Sequence, residues 1–363
     1  MNRNLLLRLA LFILPTAGFV ITSSAATFSG PPAKFVGLNF ANPAYVTFDL
    51  AAAGKFTGVI EVPQRSRTVI RGTLDVTGSF SGTSDTGKAP FFVVVSGSTP
   101  STYGLSGSAA GRAFEALPFA YSKGQTAVET GTYTSYIVAS GTAAGIPKAI
   151  GYATLTVAKT GAARLRGKLP DGTSFTTASN ILAEGTSSHY LILYDGNLYN
   201  KKGFMLDVIS DILPADFEGS LTWMKMPDKS PYYPAGFTTP GENLGFRYSR
   251  MPAPFTSGSG VILLAGGGLA TTGTGTFTVS STGKITINPP NSSNIKVSIN
   301  DATGASKGSF DYRHMVGGKT VDSKVRLGGL LIETSTNSSV VIGNFLSPVT
   351  SGSGSAGVVE LGD

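Results

Sequence analysis

Cysteine is absent from all 363 residues, histidine occurs twice and tryptophan once. Without a thiol the chain has no disulfide, no thiolate metal site and no cysteine to lipidate. Its stability therefore comes from buried apolar area. Charge is sparse as well: Asp, Glu, Lys and Arg make up 13% of the chain, against roughly 25% in an ordinary soluble domain. The formal charge of +7 is thinly spread. Its densest basic stretches, PQRSRTVIRG and ARLRGK, have the spacing of wet strand faces. Nucleic-acid binders gather Lys and Arg on one face, so the composition argues against nucleic acid as a partner. Long apolar runs are missing after Ile21, and so is helical periodicity of useful length.

What is present begins with MNRNLLLRLALFILPTAGFVITSSAATFSG. Arg3 and Arg8, an uncharged apolar run from Leu9 to Ile21, and small residues up to Ala25 and Ala26 follow the order of a secretory signal peptide. The run is short for a spanning helix, which needs about 20 residues, and Pro15 and Gly18 interrupt it. Residues 1–26 are expected to be removed. Arg3 and Arg8 leave with them, taking the formal charge from +7 to +5. The expected location is periplasmic, cell-surface or extracellular, with no integral membrane span after cleavage.

The rest reads as short β segments punctuated by Gly, Pro, Asn and Asp. In AARLRGKLPDGTSF, Leu165, Gly167 and Leu169 alternate with Arg164, Arg166 and Lys168, so one face can be buried while the other stays wet. Pro170-Asp171-Gly172 then turns the chain. GTFTVSSTGKITI repeats the grammar, with Phe277 and Val279 on one face and a turn at Thr282-Gly283. AYVTFDLAAAGKFTGVIEV repeats it again, turning at Ala53-Gly54. Meanders without covering helices close on themselves as sandwiches or barrels. The predicted fold is all-β, antiparallel meanders closed into two or three barrel- or sandwich-like modules. The modules fall at 27–125, 126–250 and 251–363. The second carries a strap from the proline-rich segment PDKSPYYPAGFTTPGENLGFRYSRMPAPFTSGSG, and the third is able to share one closed sheet with it.

The runs GYATLTVAKTGAARLRGKLPDGTSF, HYLILYDGNLYNKKGFMLDV, GSLTWMKM and RLGGLLIETSTNSSVVIGNFLSPVTSGSG, spanning about 131–363, resemble a β-rich repeat domain of large secreted proteins in environmental Gram-negative bacteria. The most specific element is Gly-x-Leu-x-Trp-x-Lys followed by Tyr-Pro-x-Gly-Phe. Here these are Gly219, Leu221, Trp223, Lys225, Tyr233, Pro234, Gly236 and Phe237. The resemblance implies architecture and export and brings no activity or cofactor with it.

Chemistry is hard to find. His189 opens the strand HYLILY and His314 follows SFDYR, so both read as strand-end surface residues, and no histidine pair has metal-ligand spacing. No Gly-x-Ser-x-Gly elbow occurs. Ser-x-x-Lys at Ser281–Lys284 and Ser293–Lys296 reads as turn sequence. Asp195-Gly196-Asn197 reads as a type I′ hairpin turn rather than a calcium loop. A glycosidase needs two carboxylates facing one cleft, and Asp207, Asp211, Asp216 and Glu218 in DVISDILPADFEG are the candidates. Trp223 shares a strand face with Leu221, which points it to a core. Tyr232 and Tyr233, held between Pro231 and Pro234, are placed to stack on a sugar ring, or to pack with Phe237 as a lid.

The leading expectation is an exported, non-catalytic interaction or structural protein of the cell envelope or surface, with no cofactor and no metal. Its partners would be a cell-envelope or extracellular protein or polysaccharide, as in adhesion. The alternative is a carbohydrate-binding module using Trp223, Tyr232 and Tyr233. An outer-membrane barrel or a glycosidase ranks below both.

Overall fold

The computed structural model describes residues 28–39, 44–63, 67–85, 89–99, 102–109, 112–184, 188–210, 212–249, 258–280, 284–333, 339–348 and 354–362. The leader 1–26, Asp211, Ser281 and the Thr282-Gly283 turn lie outside the described residues.

The first sheet comprises β1 (Ala33–Asn39), β2 (Ala44–Leu50), β3 (Lys55–Glu61), β4 (Thr68–Thr73), β5 (Ser79–Thr83), β6 (Pro90–Ser96), β7 (Gly104–Ala109) and β8 (Arg112–Pro118). The second comprises β9 (Gly131–Ala139), β10 (Gly151–Val157), β11 (Ala162–Lys168), β12 (Ser174–Asn180), β13 (Leu182–Glu184), β14 (Ser188–Asp195), β15 (Gly203–Ser210), β16 (Asp216–Lys225) and β17 (Phe237–Arg247). The third comprises β18 (Ser259–Gly266), β19 (Gly273–Val279), β20 (Ile285–Ile287), β21 (Lys296–Ile299), β22 (Ala305–Val316), β23 (Lys319–Glu333), β24 (Ser339–Leu346) and β25 (Ala356–Gly362).

All three follow one rule. Consecutive strands pair as antiparallel meanders, interrupted once, and the first strand of the sheet pairs with the last: β1 with β8, β9 with β17, β18 with β25. The two edges left at the interruption meet across a seam. In the first sheet the Asp85 amide donates to the Val69 carbonyl at 3.0 Å, and Arg71 pairs with Asp85 at 2.7 Å. In the second, the Thr177 hydroxyl donates to the Tyr194 carbonyl at 2.8 Å. The sheets are thus nearly closed antiparallel barrels, an architecture that leaves few strand edges bare.

Period-two alternation fills each interior. Leu165 and Leu169 point inward while Arg164 and Arg166 point out. Gly172 takes φ 82° as its amide donates to the Leu169 carbonyl at 2.8 Å, closing the Pro170-Asp171-Gly172 turn. Ala53 and Gly54, at φ 60° and 72°, turn β2 into β3. The first core is aromatic, with Phe48 and Phe56 stacked at 4.8 Å. Closing so tight a sheet brings backbones together: a Cβ on Gly37 of β1 would lie 1.9 Å from the Glu115 carbonyl oxygen of β8. Only glycine fits there.

Two expectations need correction. The second and third modules do not share a sheet; each closes on its own end strands. The proline-rich strap is also partly strand, since 237–247 forms β17, the strand that closes the second barrel. Pro240 does not break it because it stands just beyond the β9 ladder, which begins at Gly241, and its carbonyl still accepts from the Ser140 amide at 2.9 Å, as a proline at a ladder's end can.

The barrels touch through their outer walls. Val36, Leu38 and Tyr45 of the first pack on Leu182, Tyr190, Ile192, Tyr194, Phe204 and Leu206 of the second, with Tyr45 and Tyr194 stacked at 5.1 Å. Between the second and third, Asn344 Nδ2 donates to the Ile150 and Leu169 carbonyls, each at 3.2 Å. The packed apolar interiors are the reverse of an outer-membrane barrel, whose apolar band faces outward. That reading does not fit this fold.

Candidate functional site at the mouth of the second barrel

Trp223 and Lys225 of the Gly-x-Leu-x-Trp-x-Lys pattern meet the Tyr-Pro-x-Gly-Phe residues at one end of the second barrel, while Gly219 lies further back along β16 against Asp207 and Ile209. On β16, the alternation points Gly219, Leu221, Trp223 and Lys225 inward. Trp223 has 0% of its surface exposed. Its Nε1 donates to the Tyr199 hydroxyl at 3.0 Å, and that hydroxyl donates to Asp171 Oδ2 at 2.6 Å. Thr173 adds its amide and hydroxyl to the same carboxylate. Burial raises the Asp171 carboxyl above its ordinary range against the pull of these donors. Burial, with the Asp171 charge beside it, likewise pushes the Tyr199 phenol up.

The strap closes over this chain of bonds. Phe237 meets Trp223 edge-on at 4.5 Å, and Tyr233 meets Phe237 edge-on at 5.8 Å. The buried Lys225 ammonium donates to Asp228 at 2.5 Å and to the Tyr233 carbonyl at 3.0 Å, and sits 5.4 Å from the Tyr199 ring centre. That hydrogen bond holds the Asp228 carboxyl below its ordinary range. Gly236 turns the strap at φ 68°, where a Cβ would lie 2.5 Å from the Lys225 carbonyl. Trp223, Lys225, Tyr233, Gly236 and Phe237 of the pattern therefore act together as a locking device.

The structure separates the three proposed ligand residues. Trp223 is a core plug with no face open to a ligand, which corrects its inclusion in an aromatic platform. Tyr232 and Tyr233 are half-buried staples to the third barrel. The Tyr232 hydroxyl donates to the Ser347 carbonyl at 2.8 Å, and the Ala356 amide donates to the Tyr233 hydroxyl at 3.2 Å. Asp195-Gly196-Asn197 is not a two-residue turn. The link from β14 to β15 contains a turn in which Tyr199, Asn200 and Lys201 all take left-handed φ of 54°, 57° and 68°. Such a run costs roughly 1–2 kcal/mol per residue, and the Tyr199 bonds to Asp171 and Trp223 oppose that cost. Beside the turn lies an open cleft of about 410 Å³ lined by Thr173, Ser174, Thr176, Asp195, Asn197 and Asn200 together with Tyr199.

The acidic cluster also divides. Asp207 points into the barrel, fully buried, and accepts from Asn243 Nδ2 at 2.6 Å. Its Oδ1 and the Asn243 Oδ1 have no hydrogen-bond partner. Burial raises this carboxyl to about 7. Glu218 points outward from β16, and Asp216 lies on that same outer face. Carboxylates on opposite sides of a sheet wall cannot flank one glycosidic bond, so Asp207 cannot pair with Asp216 or Glu218 as the glycosidase reading would require. Ser293 and Lys296 border the Asn291–Ile295 turn into β21, in which the Ile295 amide donates to Asn291 Oδ1 at 2.8 Å.

One pairing escaped the sequence reading. His189 bonds through Nδ1 to Glu129, which lies in the link between β8 and β9 but is almost fully buried. Tyr121 donates to the other Glu129 oxygen at 2.8 Å, and the Tyr133 hydroxyl donates to the Glu129 carbonyl at 2.9 Å. The residues stand 60 positions apart, and no spacing rule links them. A carboxylate-oriented imidazole can move a proton, yet among the described residues no Ser or Thr hydroxyl is bonded to this ring. Among the described residues no group of His, Asp and Glu is arranged to hold a metal.

No family model and no curated protein matches the chain. Among solved structures, a double mutant of the vaccine antigen Transferrin Binding Protein B from Haemophilus parasuis aligns at 12% identity and a TM-score of 0.26, over 89% of this chain and 66% of that one. The chain thus spans just under two thirds of that protein's length. A protein of unknown function from the DUF3598 family of Nostoc punctiforme aligns at 8% identity and a TM-score of 0.20, over 61% of this chain and 96% of that one. At these TM-scores neither carries an argument about this chain.

Proposed function

We propose that the protein is an exported, non-catalytic interaction protein of the cell envelope or surface. Its three barrels would present their outer faces to a protein or polysaccharide partner. The observation supporting this is that both junctions between barrels are made of specific side-chain contacts. The Tyr45–Tyr194 stack lies at one, and the Tyr232 and Asn344 bonds at the other. Packed junctions of this kind keep distant surface patches in fixed relation, as a partner spanning several modules requires. The sequence resemblance to secreted repeat domains points the same way. Fractionation of producing cells tests it: the protein should stay with the cells and come off on mild washing. Protein found in the cytoplasm, or wholly free in the medium, would overturn the reading.

Saccharide binding is the second reading, and the open cleft beside Tyr199 supports it better than the strap does. Hydroxyls, amides and the Asp195 carboxylate there surround a rigidly held tyrosine, which suits a hydroxyl-rich ligand. Asn197→Ala with Asn200→Ala should then abolish retention on a polysaccharide column while Tyr232→Phe leaves it unchanged. Equal retention of all variants would remove the cleft from consideration.

A further inference from the structure

The hairpin of β22 and β23 is longer than the barrel that carries it. β21 pairs with β22 only as far as Ser309, and β24 pairs with β23 only from Leu327 onward. Among the described residues the pairs from Phe310–Val325 to Val316–Lys319 therefore have no neighbouring strand on either side, the Asp311 amide alone donating to the Ser293 carbonyl at 2.8 Å. Seven residue pairs at about 3.3 Å each make a ribbon reaching roughly 23 Å. Phe310, Tyr312 and Val325 anchor its base in the third core, and Arg313 grips Asp322 across the strands at 2.9 Å. Beyond that pair the ribbon is solvent-exposed up to a Gly317-Gly318 tip with positive φ at both residues.

The exposed end is apolar where a soluble hairpin would be polar. Met315, Val316 and Val321 are 59%, 45% and 39% exposed. Val316 and Val321 lie on one face and Met315 on the other, so the tip is a wedge. Around and behind it Lys319, Lys324 and Arg326 are exposed, and Arg313 is the base already paired with Asp322. Asp311 accepts from Asn294 at 3.2 Å. Basic residues thus outnumber acidic ones on the free ribbon. Pairing with a second copy is disfavoured by the same charges. Antiparallel self-association of the free stretch 319–325 about its midpoint would set Asp322 against Asp322, and of the free stretch 310–316 would set Arg313 against Arg313.

We propose that this ribbon is a peripheral membrane contact that docks on an anionic lipid surface. The tip dips into the headgroup region, and the basic collar meets the lipid charges. Apolar side chains at a tip gain from leaving water. Lysines near an anionic surface are drawn to it, an attraction that is screened within a Debye length as salt rises. Only the tip enters, so the unpaired strand edges behind it keep water as their hydrogen-bond partner, as bare backbone must. The contact specifies how the protein envisaged under the proposed function would be held to an envelope, and it rests on that reading only for its setting.

The test uses purified full-length protein with vesicles of phosphatidylcholine alone or mixed with phosphatidylglycerol. Wild-type protein should sediment with the anionic vesicles and not the neutral ones, and binding should weaken as salt is raised. Met315→Ser, Val316→Ser, Val321→Ser combined should reduce the bound fraction at least tenfold. Lys319→Gln with Lys324→Gln should reduce it several-fold and flatten the salt dependence. An unchanged far-ultraviolet spectrum and unchanged thermal unfolding confirm that each variant is folded. The cysteine-free chain allows a second readout: an environment-sensitive dye on Met315→Cys should shift to the blue on anionic vesicles. No sedimentation of wild-type protein, or equal sedimentation of the serine variant, would overturn the lipid contact. Neither result bears on wash-released cell association, which tests the broader reading separately.

Discussion

Trp223 carries its environment in its neighbours: an inward strand position, the Tyr199 hydroxyl on its Nε1 and Phe237 across its face. Its emission should be blue-shifted and resist acrylamide, and no soluble polysaccharide should change it. Trp223→Ala should cost about 3–5 kcal/mol in a denaturant titration. A quenchable signal protected by one polysaccharide would reverse this assignment. Asp207 is a different kind of buried residue, a carboxyl with one oxygen unpartnered inside an apolar barrel. Its folded pKa of about 7 lies above its unfolded value, which is about 3.9. Between these values the folded state holds a proton that the unfolded state has lost. Stability should therefore fall as pH rises from about 4 to about 7, by an amount on the order of 3–4 kcal/mol. Asp207→Asn keeps the shape and removes the titration, so its melting temperature should exceed that of wild type at pH 8 and lose this slope. The inward place of Trp223 was legible from its alternation with Leu221. The burial of Asp207 was not, because an acidic residue in a run of acids reads as a loop until its strand partners are known.

At the scale of elements, the strap and its adjoining turn do the work of a joint. The strap ties Trp223 on one side and, through Tyr232 and Tyr233, the third barrel on the other. Tyr232→Phe should weaken that junction by about 1 kcal/mol, the net worth of one hydrogen bond. Replacing both tyrosines by alanine should uncover Trp223 to acrylamide and speed proteolysis between the second and third barrels. A double variant with native quenching and native proteolysis, but with a lost polysaccharide interaction, would restore the binding role expected of these residues. Strands and tight turns were readable because period-two alternation and Gly or Pro at turn positions are local physics. The left-handed run at Tyr199, Asn200 and Lys201 was not readable. Nothing local favours it, and the bonds that hold Tyr199 come from Asp171 and Trp223, 28 and 24 residues away.

For the whole molecule, the consequential feature is that each barrel has its own core yet touches its neighbour along a specific wall. Leu38 lies in the apolar junction between the first two barrels rather than inside either. Leu38→Asp should bury an unpaired charge there. We expect it to lower the melting of the first barrel, seen in the far-ultraviolet, while the Trp223 transition of the second barrel stays close to that of wild type. Coincident melting of both signals at the lower temperature would mean that the barrels unfold as one unit. Sequence alone determined the class of fold, because alternation, turn residues and the absence of helical period leave a closed meander as the way to bury half of every strand. It also determined that no thiol chemistry occurs and that Trp223 faces inward. Tertiary structure alone decided that three sheets close separately, first strand on last, since closure depends on pairing between segments up to about a hundred residues apart. It alone brought Glu129 to His189, sent Asp207 and Glu218 to opposite sides of one wall, and left the far end of the β22–β23 ribbon without a neighbouring strand among the described residues. Each of these depends on which strand lies beside which, and strand pairing is a property of the assembled sheet rather than of any stretch within it.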